Sequence, residues 1–326
     1  MNAEQLRAAI FSSSNYDALA LEVFRYQAKH VAVYREFLEL LGVDAERLNH
    51  VHEIPHLPVE MFKKFSIIAE GHTPQQIFTS SGTTGQITSQ HPVADLSLYE
   101  ESFGRCFELF YGDVRDYVVL ALLPSYLERS GSSLVYMANN LIVRSGRSES
   151  GFYLHNLAEL SEKLQQLNAA GQKVLLLGVT YALLDLAEQF PQPLPHTTIM
   201  ETGGMKGRRR EMIREEVHAQ LSGAFGSSQI HSEYGMTELL SQAYSNGSGI
   251  FRCPPWMRIS IREMNDPLSL TAHGKTGGIS ITDLANLHSC SFIATSDLGK
   301  LNPDGSFEVL GRFDNSDVRG CNLMVN

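Results

Sequence analysis

The feature that most limits what this chain can fold into is a series of strand-like runs separated by helical stretches. Tyr117–Leu123 (YVVLALL) is continuously apolar and stops at Pro124, the pattern of a buried strand. Helical spacing follows from Ser132 to Ile142. Lys173–Val179 (KVLLLGV) repeats the strand signal, Tyr181–Phe190 reads as a helix, and His196–Met200 reads as a third strand. Glu211–Leu221 and Gln229–His231 continue as a helix and a short strand. Strands alternating with helices predict a largely parallel α/β sheet with flanking helices. Ahead of it, Phe24, Val31, Tyr34, Leu38 and Leu41 fall at helical spacing and predict one amphipathic helix over Tyr16–Leu41. After about Phe251 the character changes. Met257–Glu263, Gly277–Asp283 and Ser291–Thr295 are strands without intervening helices, and Leu301–Leu310 is a hairpin turning at Asn302-Pro303-Asp304-Gly305. The expected division is an α/β core over residues 1–250 and a smaller antiparallel, barrel-like part over 251–326. Active sites in such folds lie at the carboxyl ends of parallel strands.

Composition removes several classes of function. A net charge of −10 over 326 residues argues against a broad nucleic-acid surface. The basic run Lys206–Arg210 (KGRRR) heads a helical stretch and reads as a solvated face. The four cysteines form no CxxC pair, and the twelve histidines show no HExxH or Cys/His ligand spacing, so structural zinc and a disulfide framework are not expected. The start of the chain is mixed and polar, and no apolar run reaches bilayer length, so a cytoplasmic location is the expectation.

Phe78–Gly85 reads FTSSGTTG. A phosphate needs several donors converging at short range, and bulky side chains would hold the backbone away from it. Gly82 and Gly85 permit close approach, and Ser80, Ser81, Thr83 and Thr84 add hydroxyl donors. Successive amides form an anion-binding nest, and each hydrogen bond to a charged group is worth roughly 1.5–3 kcal/mol. The GxxxxGK[ST] pattern of P-loop enzymes is absent. Taken alone, the segment also reads as a solvated turn.

SSGTTG resembles the phosphate loop of the adenylate-forming superfamily, which includes acyl-CoA synthetases, peptide-synthetase adenylation domains and luciferases. That resemblance implies the superfamily's large N-terminal domain, with ATP and Mg2+ as cofactors. Where many members continue with Pro-Lys, this chain has Gln86-Ile87-Thr88-Ser89-Gln90-His91. The departure is similar to the LuxE-like acyl-protein synthetase branch, related to phenylacetate-CoA ligases. Glu233–Glu238 (EYGMTE) resembles the second signature. It implies a flat face for adenine at Tyr234, followed by Gly235, an α-phosphate donor at Thr237 and a hard oxygen for Mg2+ at Glu238. Glu201-Thr202-Gly203-Gly204 is similar to the loop lining the adenine edge, where Gly203 and Gly204 let a purine approach. Thr295-Ser296-Asp297-Leu298-Gly299 and Gly311-Arg312-Phe313-Asp314 resemble paired motifs for the ribose, with Ser296 where glycine is usual. Asp297 is implied as acceptor for the ribose hydroxyls, Arg312 as a donor fork to ribose or phosphate, and Asp314 as the hinge. A hairpin carrying a surface ion pair is the plainer reading of that cluster.

Pro124–Ser133 (PSYLERSGSS) falls where the superfamily lines its acyl pocket, which makes Tyr126 and Arg129 candidates for the acid, against a core tyrosine and a solvated arginine. His155 and His231 are further candidates, with structural histidines as the alternative. Relatives carry a mobile C-terminal domain with a catalytic lysine beyond the hinge; this chain stops at Asn326, so either that domain was removed or this lineage lacks it. Ile54–Phe65 (IPHLPVEMFKKF) is similar to a segment of the acyl-protein branch, which fits a short but complete enzyme. That branch passes its acyl group to a cysteine near its C-terminus, and Cys321 stands at that place, against an inert core cysteine. The expected substrates are a fatty or aromatic carboxylic acid and a thiol acceptor: its own cysteine, CoA or a carrier protein. The alternatives are a phenylacetate-type CoA ligase and an ATP/AMP-binding protein impaired in catalysis.

Overall fold

Asparagine side chains start the first two helices, Asn2 accepting from the amide of Gln5 at 2.9 Å and Asn15 from that of Ala18 at 3.1 Å. The structure, a computed structural model, describes residues 1–81, 87–124, 131–203, 210 and 212–313. Its contacts divide into two compact units, one built from residues 1–70 together with the chain from Pro255, the other from Gly71–Pro254.

In the first unit, α1 (Ala3–Ile10) leads to α2 (Tyr16–His30) and α3 (Ala32–Leu40). The single helix expected over Tyr16–Leu41 is thus two. Val31 adopts φ −103° and ψ 99°, serving as C-cap of α2 and N-cap of α3. No proline or glycine marks the break, and apolar spacing survives on both sides because each helix buries its own stripe. A short strand β1 (Leu57–Pro58) and a single turn α4 (Met61–Lys64) follow.

The second unit opens with the hairpin β2 (Gln76–Thr79) and β3 (Gln90–Val93), paired from Gln76↔Val93 to Thr79↔Gln90. Then come α5 (Leu96–Tyr111), β4 (Val118–Leu122), α6 (Ser133–Ser145), β5 (Gly151–Phe152), α7 (Leu157–Ala169), β6 (Val174–Val179) and α8 (Thr180–Gln189). The unit continues with β7 (Thr197–Thr202), α9 (Arg214–Phe225), β8 (His231–Tyr234), β9 (Ala243–Ser245) and β10 (Ile250–Phe251). The main sheet runs β5-β4-β6-β7-β8-β9, parallel except for β9. Every residue of β4 and β6 is buried, which explains their unbroken apolar sequences. Each buried Leu or Val contributes about 1.5–3 kcal/mol relative to exposure. The chain leaves β4 toward β5 on one side and β6 toward β7 on the other, so the topological switch lies at the carboxyl ends of β4 and β6. The strand expected at Gln229–His231 begins at His231 and carries Glu233 and Tyr234 within it.

The chain returns to the first unit with β11 (Met257–Arg262), β12 (Thr276–Asp283), β13 (Phe292–Leu301) and β14 (Phe307–Arg312), an antiparallel series with β1 added in parallel beside β13. Gly305 closes the β13–β14 turn at φ +80°, where a glycine is needed. The N-terminal helices are fixed to these strands by aromatic packing and one buried amide. Phe292 lies 5.9 Å from Phe24 and 6.1 Å from Tyr34, ring centre to ring centre. Gln27 Nε2 donates to the carbonyls of Asn286 and Leu287 at 2.9 Å, and its Oε1 accepts from the Ser291 amide at 2.9 Å. A buried amide so satisfied costs little to bury and fixes α2 in one position.

Candidate functional site

The carboxyl ends of the parallel strands supply the site in the second unit. Register aligns Val179 with Thr202 and Thr202 with Glu233, so β6, β7 and β8 end side by side. Two buried carboxylates result. Glu201 Oε2 accepts from Thr180 Oγ1 at 3.0 Å, while Oε1 lies 3.6 Å from both Arg214 Nε and His218 Nε2. Burial pushes the Glu201 carboxyl up, but His218, Ser232 and the charge of Arg214 outweigh it and hold it below its ordinary range. Glu233 is treated oppositely. Burial drives its carboxyl up to about 7, against a hydrogen bond from Thr202, and the negative charge of Glu201 adds to the rise. At neutral pH this corner therefore holds one firm anion beside one carboxyl that readily keeps a proton.

The EYGMTE segment leaves β8 from that corner. A Cβ at Gly235 would fall 2.4 Å from Glu233 Oε1, so the glycine answers the approach of the carboxylate. Tyr234 is half-buried, with its ring 5.9 Å from Phe251, over which the Arg214 guanidinium sits at 4.9 Å. Thr237 is half-buried and Glu238 is buried at 4% exposure. The Thr237 carbonyl accepts from His91 Nδ1 at 2.8 Å, which fixes the tautomer with the proton on Nδ1. His91 is fully buried on β3.

The same hairpin presents the Ser/Thr/Gly loop. Ser80 and Ser89 extend its pairing, the Ser80 amide donating to the Ser89 carbonyl at 3.1 Å and the Ser89 amide to Ser80 Oγ at 2.9 Å. The Thr79 amide donates to the Gly131 carbonyl at 2.7 Å. Ser80 Oγ is therefore engaged in closing the loop's base, and Ser81 stands exposed beyond it. Gly82, Thr83, Thr84 and Gly85 lie outside the described residues, as do Gly204, Tyr126, Arg129, Asp314 and Cys321. Gly203 follows β7 at φ +72°, a left-handed conformation that excludes most side chains.

Asp297 and Arg312 belong to the other unit, directly opposite each other on β13 and β14. Arg312 Nε donates to Asp297 Oδ1 at 3.0 Å; the aspartate side chain is 10% exposed and the arginine 76%. The hairpin ion pair that the sequence allowed is present. Of the histidine candidates, His231 takes a contact from Tyr111 Oη at 3.3 Å, and burial lowers its basicity.

The sequence reading missed His91 and the Glu201–Glu233 pair. Both glutamates stand inside quoted motifs, at strand ends where such folds place their chemistry. Nothing local distinguishes His91 from any other histidine. Among the described residues no group of three or more His, Cys, Asp or Glu could hold a metal by itself. Glu238 is a carboxylate of the kind Mg2+ takes, one or two from the protein, with the shell completed by phosphate oxygens and water. No described helix is long and apolar enough to cross a membrane.

Neither a protein-family model nor a curated protein matches the sequence. Solved structures do match the fold. ATP-bound MatB from Rhodopseudomonas palustris aligns with TM-score 0.56 at 17% identity, covering 72% of this chain and 47% of that one. A 2-hydroxyisobutyryl-CoA ligase in complex with 2-HIB-AMP and CoA aligns with TM-score 0.66 at 13% identity, covering 97% and 70%. O-succinylbenzoate coenzyme A synthetase from Bacillus subtilis, in complex with ATP and magnesium, aligns with TM-score 0.51 at 18% identity, covering 72% and 49%. The chain thus spans about half the length of MatB and of the succinylbenzoate enzyme. These neighbours are adenylate-forming superfamily members, and the α/β fold of this chain matches their N-terminal domain.

Proposed function

We propose that this chain binds ATP and activates a carboxylic acid as an acyl-adenylate, with release of pyrophosphate and transfer of the acyl group to a thiol. The observation that carries this reading is the His91–Thr237 hydrogen bond. It ties the return strand of the Ser/Thr/Gly hairpin to the EYGMTE segment, two motifs far apart in sequence. In the first step a carboxylate oxygen of the acid attacks the α-phosphorus, the bond from that phosphorus to the β-phosphate bridge breaks, and pyrophosphate leaves. In the second a thiolate attacks the acyl carbon and AMP departs.

In this reading Ser81 and the loop beyond it receive the phosphates, and Gly203 lets the adenine approach the end of β7 beside Tyr234. The Thr237 hydroxyl donates to the α-phosphate, held in place through its own carbonyl by His91. Glu238 would hold Mg2+, which would neutralise phosphate charge. Asp297 and Arg312 serve the ribose and phosphate. Positioning acid and phosphate in line, with fixed donors around the developing charge, supplies the catalysis.

Cys106 and Cys290 are buried, and burial pushes the Cys290 thiol up to about 12. Cys253 is half-buried and is not set aside by burial; the proposed acceptor is Cys321, CoA or a carrier thiol, the first fitting the LuxE-like branch. Acid-dependent exchange of labelled pyrophosphate into ATP tests the first step, and no exchange across fatty, aromatic and polyene acids would overturn it. ATP bound without exchange would leave a nucleotide-binding protein. A Cys321→Ser chain that still acquires an acid-stable, hydroxylamine-labile acyl label would remove Cys321 as the acceptor.

A further inference from the structure

The unit formed by residues 1–70 and the chain from Pro255 encloses a cavity of about 280 Å3 that the adenylation reading does not use. Its floor and walls differ in chemistry. Strands β11 and β12 pair Ser260 with Ser280 and Arg258 with Thr282, which turns a row of hydroxyls toward the cavity. His56 joins them, its Nε2 3.1 Å from Thr282 Oγ1. Against this floor stand Ala20, Val43, Ile54 and Phe292. Leu41, Leu268 and Leu270 also line the cavity, yet remain 38%, 57% and 43% exposed, so they form an apolar rim.

Two features point to an occupant. The Ser260 hydroxyl reaches the cavity without a hydrogen-bond partner among the described residues. Exposed leucines at an opening cost solubility and gain only when something apolar enters. Glu53 brings an acidic side chain to the lining, and the histidine of the floor is neutral. Burial lowers His56 to about 4, so the imidazole carries no charge at neutral pH. Arg258, the cation at the edge, already pairs with Asp17 at 2.6 Å and stacks on Tyr16 at 3.7 Å. A buried anion would find no free counter-charge, and burying one unpaired is costly. For scale, an apolar cavity of about 150 Å3 admits benzene.

We propose that this cavity binds a small apolar molecule, of about bicyclic size, carrying one neutral hydrogen-bonding group that meets Ser260. The apolar body lies between Phe292 and the rim leucines.

The test titrates the full chain, without ATP, with 2-naphthol and with 2-naphthoate, followed by saturation-transfer NMR. 2-Naphthol should bind, and 2-naphthoate at least about ten-fold more weakly. Ser260→Ala should weaken 2-naphthol about five-fold. Ala20→Phe should abolish binding by filling the space. If that variant fails to fold, as read by circular dichroism, Ser260→Leu fills the cavity from the floor and should do the same. No 2-naphthol binding to the unaltered chain at about 1 mM would overturn the proposal. So would equal binding of the two probes, or unchanged binding in a folded cavity-filling variant. None of these outcomes depends on pyrophosphate exchange.

Discussion

Glu233 and Asp297 are held by the same device in different surroundings. Each carboxylate accepts from the residue directly opposite it on the neighbouring strand, Thr202 for Glu233 and Arg312 for Asp297. At Glu233 the donor is a neutral hydroxyl, the site is buried and a second carboxylate lies nearby; the acid is pushed up to about 7. At Asp297 the donor is a cation with 76% of its side chain in solvent. Cross-strand register can thus deliver a carboxylate to a partner, but the partner's charge and the neighbouring carboxylate differ between two sites that are equally buried.

The largest way to break the comparison is by pH. The native Glu233 carboxyl keeps its proton up to about pH 7, whereas the unfolded chain loses it near the ordinary value of 4.5. Between these values the native state binds more protons, so stability falls as pH rises, and above about 7 the contribution is gone. The shift corresponds to about 3 kcal/mol. Urea unfolding should therefore show Glu233→Gln close to the unaltered chain at pH 4.5 and more stable at pH 8. A difference independent of pH would show that Glu233 is an ordinary anion.

Glu201→Ala should be next in size. It removes the side-chain acceptor of Thr180 and the carboxylate 3.6 Å from Arg214, and costs about 2 kcal/mol of stability, again by urea unfolding. It should also bring Glu233 down toward its ordinary range, because the neighbouring negative charge is removed, and so flatten the pH dependence. His91→Phe keeps bulk but leaves the Thr237 carbonyl without its donor, at about 1 kcal/mol. If His91 acts through Thr237, ATP affinity should fall about ten-fold by calorimetry while the unfolding midpoint moves little. The smallest stability change belongs to Arg312→Ala, about 0.5 kcal/mol or less for so exposed a pair. A nucleotide role for Arg312 requires ATP affinity to drop nonetheless, and unchanged affinity would reduce the pair to a hairpin clasp.

The neighbouring parts of the chain differ in how much their sequence discloses. β4 and β6 are readable because burial on both faces demands uninterrupted apolar residues, a local pattern. Val31 hides the end of α2 because two helices that each bury a stripe preserve apolar spacing across the break. The strand carrying Glu233 and Tyr234 is hidden for another reason: HSEY is polar, and its place in the sheet comes from pairing with β7 and β9.

The alternation of strands and helices through the main sheet and the antiparallel run from Met257 onward were legible in the sequence alone, since each rests on residues close along the chain. Only the tertiary structure decided that Gln27 fastens the N-terminal helices to strands more than two hundred residues later. It also decided that His91 holds the Thr237 carbonyl, and that of two glutamates on adjacent strands one is a firm anion and the other half-protonated near neutrality. Propensity and periodicity act over a few residues. Hydrogen-bond partners and burial are set by atoms that meet only once the chain has folded.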